Sequence, residues 1–353
     1  MKVLVAMSGG VDSSVAAAVL AGDGHQVTGV TLRLWGGESD SGCCSVSDVD
    51  DARRVADHLG LDHHVFNFGL DFERHVVEPY VRDHREGRTP NPCIECNRHL
   101  KFDRLLRRAD QLGFDAVATG HHARVAGRAG RLRVARGADP GKDQSYVLHM
   151  LDQAALARTL FPIGGLTKDA VRARAAGLGL RTADKPDSQD VCFITSAEGR
   201  AAFLGRRTAL TPGVVQDQAG VDVGRVPAVE LVTVGQRRGL GLPGGGPTRH
   251  ALRVDVAAAT VTVGSADDLL VDRQVVGPVS WADDPVHGEL LAQSSAHGRA
   301  EPAVVAAGQD GTVTVEWRTR RRRVAPGQAV VLYDRDEVVG GGPAWAAEDL
   351  SAR

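Results

Sequence analysis

Residues 2–21 leave this chain few folds to choose from. An apolar, β-branched run, Val3-Leu4-Val5-Ala6, reads as a buried strand, and it passes through Ser8-Gly9-Gly10-Val11-Asp12-Ser13-Ser14 into an alanine-rich helical pattern over 15–21. Strand, glycine turn and helix in that order make a phosphate cradle. Glycine lets the backbone turn tightly and approach a ligand, Ser and Asp side chains can cap the helix, and the N–H groups of its first turn attract anions. The lysine of G-x-x-x-x-G-K-[ST] is missing and the G-x-G-x-x-G spacing is absent, which argues against ordinary γ-phosphate transfer. A plain glycine turn opening an α/β domain is the competing reading.

The rest of the first half supports a nucleotide-type sheet. Strand patterns over 27–34, 64–68 and 116–119 alternate with helical patterns over 48–59, 99–112, 153–161 and 167–177, the last opened by Thr167. That alternation predicts a parallel sheet covered on both faces, with the loops after Ala6, Leu32 and Thr119 emerging at one edge to share a pocket. After about residue 200 the helical period disappears. Short alternating runs over 251–256, 260–263, 313–317 and 329–333 sit between glycine and proline punctuation, so this half is read as mostly β and divided near residue 272. A chain of 353 residues has room for two or three such domains.

Charge and cysteine usage narrow the chemistry. A formal charge of −2 excludes a globally basic nucleic-acid coat, so any RNA contact must use local patches. The densest patch, Arg320-Arg321-Arg322-Arg323, reads equally as a solvated strand edge or as a phosphate contact. No apolar run is long enough to span a bilayer and Met1-Lys2 leads directly into a strand, so a cytoplasmic protein is expected. Five cysteines, an odd number, favour reactive or metal-binding thiols over a structural disulfide framework. Cys93 and Cys96 form a C-x-x-C at a helix start within GRTPNPCIECN (87–97), where the helix dipole and Arg98 and Lys101 favour a thiolate. Cys192 follows Asp187-Ser188-Gln189-Asp190-Val191. Zinc would need a fourth ligand, and no second pair supplies one. An iron–sulfur cluster on Cys93, Cys96 and Cys192 with one open iron stays as an alternative. Cys43-Cys44 are adjacent in an acidic, serine-rich stretch and are read as non-catalytic.

These motifs together resemble a known family. SGGVDSS is similar to the PP-loop of ATP pyrophosphatases, shared by GMP synthetase, argininosuccinate synthetase and tRNA lysidine synthetase. GCCSVSDVDDA, GRTPNPCIECN, ATGHHAR, KDQSYVL, DKPDSQDVCFI, VGQRRGLG and PGQAVVLYD follow in the order found in bacterial tRNA-specific 2-thiouridylases, over nearly the whole chain. The resemblance implies an α/β, parallel-sheet PP-loop domain at 1–198, a small central β-rich domain at 199–271 and a C-terminal β-barrel at 272–353 that contacts tRNA. It implies 2-thiolation of the wobble uridine, position 34, of tRNA: ATP adenylates the C2 oxygen, a cysteine persulfide supplies sulfur, and AMP and pyrophosphate leave. Ala6, Met7, Ser8, Gly9, Gly10, Val11, Asp12 and Ser13 would hold ATP with Leu32 and Gly120, and Asp12 would meet Mg2+. Cys192 would carry the persulfide and Cys96 would be the partner nucleophile, the two forming a transient disulfide. Asn91, Pro92 and Cys93 would meet the target base. His121, Lys142, Asp143, Gln144 and Gln328 would contact the anticodon arm of tRNAs accepting Lys, Glu and Gln. A cysteine desulfurase or sulfur-relay protein would donate sulfur to a monomer.

Three departures from the family pattern stand out. Cys93 occupies a position that is Asp in many members, the basic Lys-Ile-Arg-Tyr-Arg segment corresponds to Ser295-Ala296-His297-Gly298-Arg299, and Arg225-Val226-Pro227 replaces a Gly-x-His-x-Gly turn. Two other functions fit the loop alone: another PP-loop adenylating enzyme, such as an amidotransferase or ligase, and a non-catalytic nucleotide- and RNA-binding protein.

Overall fold

The computed structural model describes residues 1–34, 46–128, 130–187, 191–194 and 198–346. Cys43, Cys44, Ser188, Gln189 and Asp190 lie outside the described residues.

Successive side chains of β1 (Lys2–Ala6) point to opposite faces and both faces are apolar. Leu4 joins a core with Val30, Leu32, Phe72 and Val117, while Val3 and Val5 join another with Val15, Val55 and Val171. A strand buried on both faces needs covering layers on both, the condition that parallel sheets meet. β1 pairs in parallel with β2 (Gln26–Arg33), which pairs with β3 (Asp62–Asn67); on its other side it pairs with β4 (Ala116–Thr119). The sheet runs β3-β2-β1-β4, ending in the two-residue strand Thr159–Leu160. Because the chain winds one way from β1 to β3 and the other way through β4, the loops after β1 and β4 meet at the switch point where such sheets bind ligands.

The helices show why alanine fills this layer. α1 (Val11–Gly22) buries Val11, Val15, Ala16, Ala17 and Leu20, and its small side chains let it lie between the sheet, α2 (Val46–His58) and the helix Lys168–Gly177. Thr167 caps that last helix by accepting from Ala170 N at 3.3 Å, as its sequence predicts. Two expected helices differ. Residues 153–161 give one turn, Gln153–Leu156, capped by Asp152, and then Thr159 enters the sheet beside Val117. The helix expected over 99–112 begins earlier, at Pro92–Glu95, widens into a π-helical stretch at Cys96–Arg104 and closes as Leu105–Gln111. π-helical turns frequently mark functional positions, and this one begins at Cys96.

The second half is β-rich, as expected. A four-stranded central sheet encloses its own small core of Val215, Val226, Val229, Ala251 and Val261. The C-terminal sheet is antiparallel, and Val276 bridges Ala344 so that its first and last barrel strands meet. One feature departs from the sequence reading: the hairpin β5 (Ala123–Arg128) and β6 (Arg131–Arg136) leaves the first domain and extends the C-terminal sheet, with Ala135 opposite Glu337.

Buried groups fasten the barrel to the first domain. Tyr146 Oη donates to the Ala329 carbonyl at 2.7 Å, and Ser145 Oγ and Tyr333 Oη are 3.1 Å apart. His149 packs on Gly341, where a Cβ would sit 2.7 Å from the imidazole, and its Nδ1–H donates to the Tyr146 carbonyl at 3.0 Å. Burial pushes its pKa from 6.5 down to about 4. The unfolded chain therefore takes up a proton that folded His149 refuses. Folding stability is fully present above pH 6.5 and should fall by up to about 3 kcal/mol as pH drops toward 4. Urea midpoints at pH 7 and pH 5 should show the loss, and His149→Gln should remove the share of His149 while that of the buried His121 and His84 stays.

Candidate active site

The turn after β1 is built by close approaches that exclude side chains. Gly9 has φ +73°, and a Cβ on it would lie 2.3 Å from the Asp48 carbonyl oxygen at the start of α2. Gly120, after β4, would place a Cβ 2.6 Å from Ser13 N and 2.7 Å from the Asp12 carbonyl carbon. Met7 is tied to β2, its N–H donating to Val30 O and its carbonyl accepting from Thr31 Oγ1, both at 2.8 Å. The expected capping by Ser or Asp is not what forms. Extended Gly10 is the N-cap of α1 and no side chain closes it among the described residues. Ser13 Oγ instead accepts from Ser8 N and donates to Gly10 O, each at 3.1 Å, and Ser14 Oγ donates to Gly10 O at 2.8 Å. Hydroxyls turned inward leave the first turn of α1 uncapped by side chains, the arrangement an anion site needs.

Ala6 and Gly10 are half-buried, Val11 and Leu32 are buried, and Ser8 is exposed at the mouth.

A chain of charges runs from this turn to the Cys192 segment. Asp12 Oδ1 accepts from His122 Nε2 at 3.1 Å, and Lys168 Nζ reaches both Asp12 oxygens at 2.7 and 2.8 Å. Burial works to raise the pKa of Asp12, but His122 and Lys168 outweigh it and hold it below the ordinary carboxylate value. The same Lys168 Nζ lies 2.8 Å from Asp187 Oδ1, while Lys142 binds Asp187 Oδ2 at 2.8 Å and Arg172 donates to Oδ1 at 3.1 Å. Burial opposes ionisation of Asp187 too, yet Lys142 and Lys168 bring it down to about 2. Two residues earlier, Lys185 binds Asp48 at 2.7 Å and Asp51 at 2.8 Å on α2. The segment before Cys192 is thus fastened to the glycine turn through Lys168 and to α2 through Lys185.

The cysteine loop sits where the three parts of the chain meet. Asn91 accepts from Cys93 N at 3.1 Å and caps the turn Pro92–Glu95, with Pro92 buried, Cys93 exposed and Cys96 buried in the core around Tyr80 and Leu100. Cys192 packs against that same core, next to Phe193, which meets Phe72 and Tyr80 edge-on at 5.5 and 5.4 Å. All three residues are thiols. Thr89 N donates to Pro326 O of the barrel at 2.8 Å, Thr89 Oγ1 donates to Thr233 Oγ1 in a loop of the central β-rich region at 3.3 Å, and Gly87 lies against Val254 and Val256. Gly327 lies against Arg88 and Thr89, while the backbone of Gln328 bonds within the barrel, its N–H to Ala325 O and its carbonyl to Ala344 N. Among the described residues no group of three or more His, Cys, Asp and Glu side chains is placed to hold a metal ion.

The residues expected to meet tRNA fall into two kinds. Lys142 and Gln144 are exposed, although Gln144 Oε1 accepts from His122 N at 2.9 Å and Lys142 is engaged by Asp187. His121 and Asp143 turn inward. His121 is buried with Phe102 and Phe161, has Nδ1 2.6 Å from Thr119 Oγ1, and burial takes its pKa well below 6.5. Asp143 accepts from Arg136, Gly137 N, Ser145 N and Ser145 Oγ and so braces the hairpin at the barrel junction. In the arginine-rich strand Val313–Arg322, Arg318 pairs with Glu289, Arg321 pairs with Glu301 at 2.7 Å, and Arg320 donates to Leu270 O at 2.6 Å. Arg225 and Val226 lie in the central strand Asp222–Val226, against Gly241 at φ +62°. Arg299 is exposed beyond a turn whose Ser295 and Ala296 carbonyls accept from Gln293.

A parallel sheet with a glycine cradle at its switch point, followed by a β-barrel, defines a PP-loop enzyme of the HUP class. Residues 1–196 match the family model described as tRNA methyl transferase HUP domain, and 272–344 match that described as Aminomethyltransferase beta-barrel domain. A protein of Chloroflexus aggregans named tRNA-specific 2-thiouridylase MnmA is 48% identical over 98% of each chain. Namesakes from Cutibacterium acnes and Mycobacteroides abscessus are 47% and 46% identical, covering 96% of this chain and 95% and 98% of theirs. The chain belongs to the tRNA-specific 2-thiouridylase family.

Lys168, His122 and Lys185 are the site residues that the sequence reading did not single out. A lysine at the first position of a helix opposes the helix dipole, and Thr167-Lys168-Asp169 carries that signal. Because Gly9 needs a left-handed backbone and touches Asp48, Gly9→Ala should lower stability by about 1–3 kcal/mol. A denaturant midpoint set against that of Gly10→Ala, where a Cβ meets only Ser8 Oγ at 3.5 Å, isolates the effect.

Proposed function

We propose that this chain is an ATP-dependent tRNA-uridine 2-sulfurtransferase acting on the wobble uridine. The observation that carries the reading is the ion-pair link that runs from the glycine cradle toward Cys192: Lys168 joins Asp12 to Asp187, which precedes Cys192 in the chain, and Cys96 and Cys192 pack against one core. Family membership over the full length supplies the substrate class.

Oxygen at C2 of uridine is a poor leaving group. Its attack on the α-phosphorus of ATP, with pyrophosphate leaving, converts it into a phosphate ester that sulfur can displace as AMP. The uncapped first turn of α1 receives the phosphates, and Gly120 and Leu32 lie on the side for adenosine. Mg2+ bound with ATP neutralises phosphate charge, and Asp12, an ionised hard-oxygen donor in the first turn, is the residue that would hold it. Cys192 carries the sulfur as a persulfide whose terminal sulfur bonds to C2. Cys96 thiolate then takes the Cys192 sulfur into a disulfide, the transferred sulfur stays on the base, and a thiol reductant restores both cysteines. A desulfurase or relay protein reloads Cys192. The exposed Cys93 and Asn91 meet the extruded base, which an anticodon loop releases at small cost. Lys142, Gln144 and Gln328 meet the tRNA backbone, and the enzyme works as a cytoplasmic monomer.

Cys96→Ser and Cys192→Ser should each reduce 2-thiouridine formation by at least about 10³-fold while ATP affinity is kept, because the nucleotide is held elsewhere. Mass spectrometry of digested tRNA reads the product. Normal thiolation by either variant would remove the two-cysteine relay, and turnover by Cys192→Ser with an amine acceptor would favour an amidotransferase. Iron and sulfide analysis after anaerobic purification tests the cluster route.

A further inference from the structure

The phosphate cradle has no lysine of its own, and the structure brings one to it from elsewhere. Lys168 is nearly buried, and its ammonium rests on two carboxylates from two functional segments, Asp12 at 2.7 Å in the cradle and Asp187 at 2.8 Å before Cys192. Its position at the start of a helix is electrostatically unfavourable for a cation, so helix stability does not explain it. A buried ammonium persists only while paired, and here both partners stand at the mouth of the turn that would receive phosphate.

We infer that Lys168 is the phosphate-contacting lysine of this loop, supplied from a helix 156 residues beyond Asp12, and that Asp187 holds it while no nucleotide is bound. The inference rests on the ATP-binding reading given above. A triphosphate in the cradle offers Nζ several anionic oxygens at once where Asp187 offers one carboxylate, so Lys168 exchanges Asp187 for phosphate. Asp187 keeps Lys142 and Arg172, and the segment leading to Cys192 loses one of its fastenings to the cradle. Nucleotide occupancy thereby reaches Asp187, which precedes Cys192 in the chain, as the loss of a single ion pair. Lys168 is a binding group in this scheme, and Asp187 is a positioning residue that competes with the ligand.

The test is the dissociation constant of Mg-ATP, measured calorimetrically without tRNA on the full chain and on Lys168→Met, Lys168→Arg, Asp187→Asn and the Lys168→Met/Asp187→Asn double variant. Lys168→Met should weaken binding about tenfold or more and Lys168→Arg should recover most of it, the scale of a hydrogen bond to a charged group. Asp187→Asn should tighten binding several-fold, and that gain should vanish in the Lys168→Met background. Opposite signs for the two single variants separate this role from scaffolding, which would make both weaken binding. Unchanged affinity in Lys168→Met, weaker binding in Asp187→Asn, or a gain that survives in the double variant would each overturn the inference. Should Lys168→Met fail to fold, the sign of the Asp187→Asn effect decides. Failure of the unsubstituted chain to bind Mg-ATP would instead sink the ATP reading itself and the inference with it.

Discussion

Two backbones meet at the switch point of the sheet with no room for a side chain between them. Gly120 presses on the peptide joining Asp12 to Ser13, and Gly9 presses on the carbonyl of Asp48. These approaches set where the first turn of α1 points relative to the loop after β4 and the start of α2. Everything else in the site is arranged around that orientation. His122 follows Gly120 by two residues and so arrives beside Asp12, and Asp48 is held where Lys185 can reach it. A cradle assembled from three segments in backbone contact is rigid before any ligand arrives, which is the condition for electrostatic preorganisation.

The same constraint explains which parts of the molecule were legible in the sequence. β4 was readable residue for residue because four buried positions in an apolar run admit little else, and the cap at Thr167 was readable because capping is local. The hairpin at 123–136 was not, because its partner is a strand some two hundred residues later at Glu337–Pro343, and nothing local shows that a hairpin leaves its own domain. The short helix at Gln153–Leu156 was overread for a related reason: Thr159 takes a place in the sheet, and tertiary pairing overrides a helical pattern.

The site divides in the same way. Glycines and cysteines announce themselves through backbone freedom and thiol chemistry, so the loop, Cys96 and Cys192 could be picked out. Lys168 and Asp187 are ordinary charged residues until the fold sets them 2.8 Å apart. His121 and Asp143 show the converse. Polar residues inside quoted motifs proved to brace the interior, His121 among Phe102 and Phe161 and Asp143 beneath Arg136, so membership of a motif does not by itself place a side chain at the surface.

Charge balance in the site follows from burial. Lys142, Lys168, Arg172, Arg181 and Lys185 pair with Asp12, Asp48, Asp51 and Asp187, so these cations are matched by carboxylates without a ligand. A half-buried site with unmatched lysines would destabilise the fold, and matching them internally removes that cost. It also changes what binding means. Under the proposed exchange, an incoming polyphosphate does not fill an empty cationic hole but displaces Asp187 from Lys168, so part of its attraction is offset by the pair it breaks. In the proposed reaction such exchange would keep affinity moderate, which suits products, pyrophosphate and AMP, that carry the same phosphate groups as the substrate and leave the same cradle.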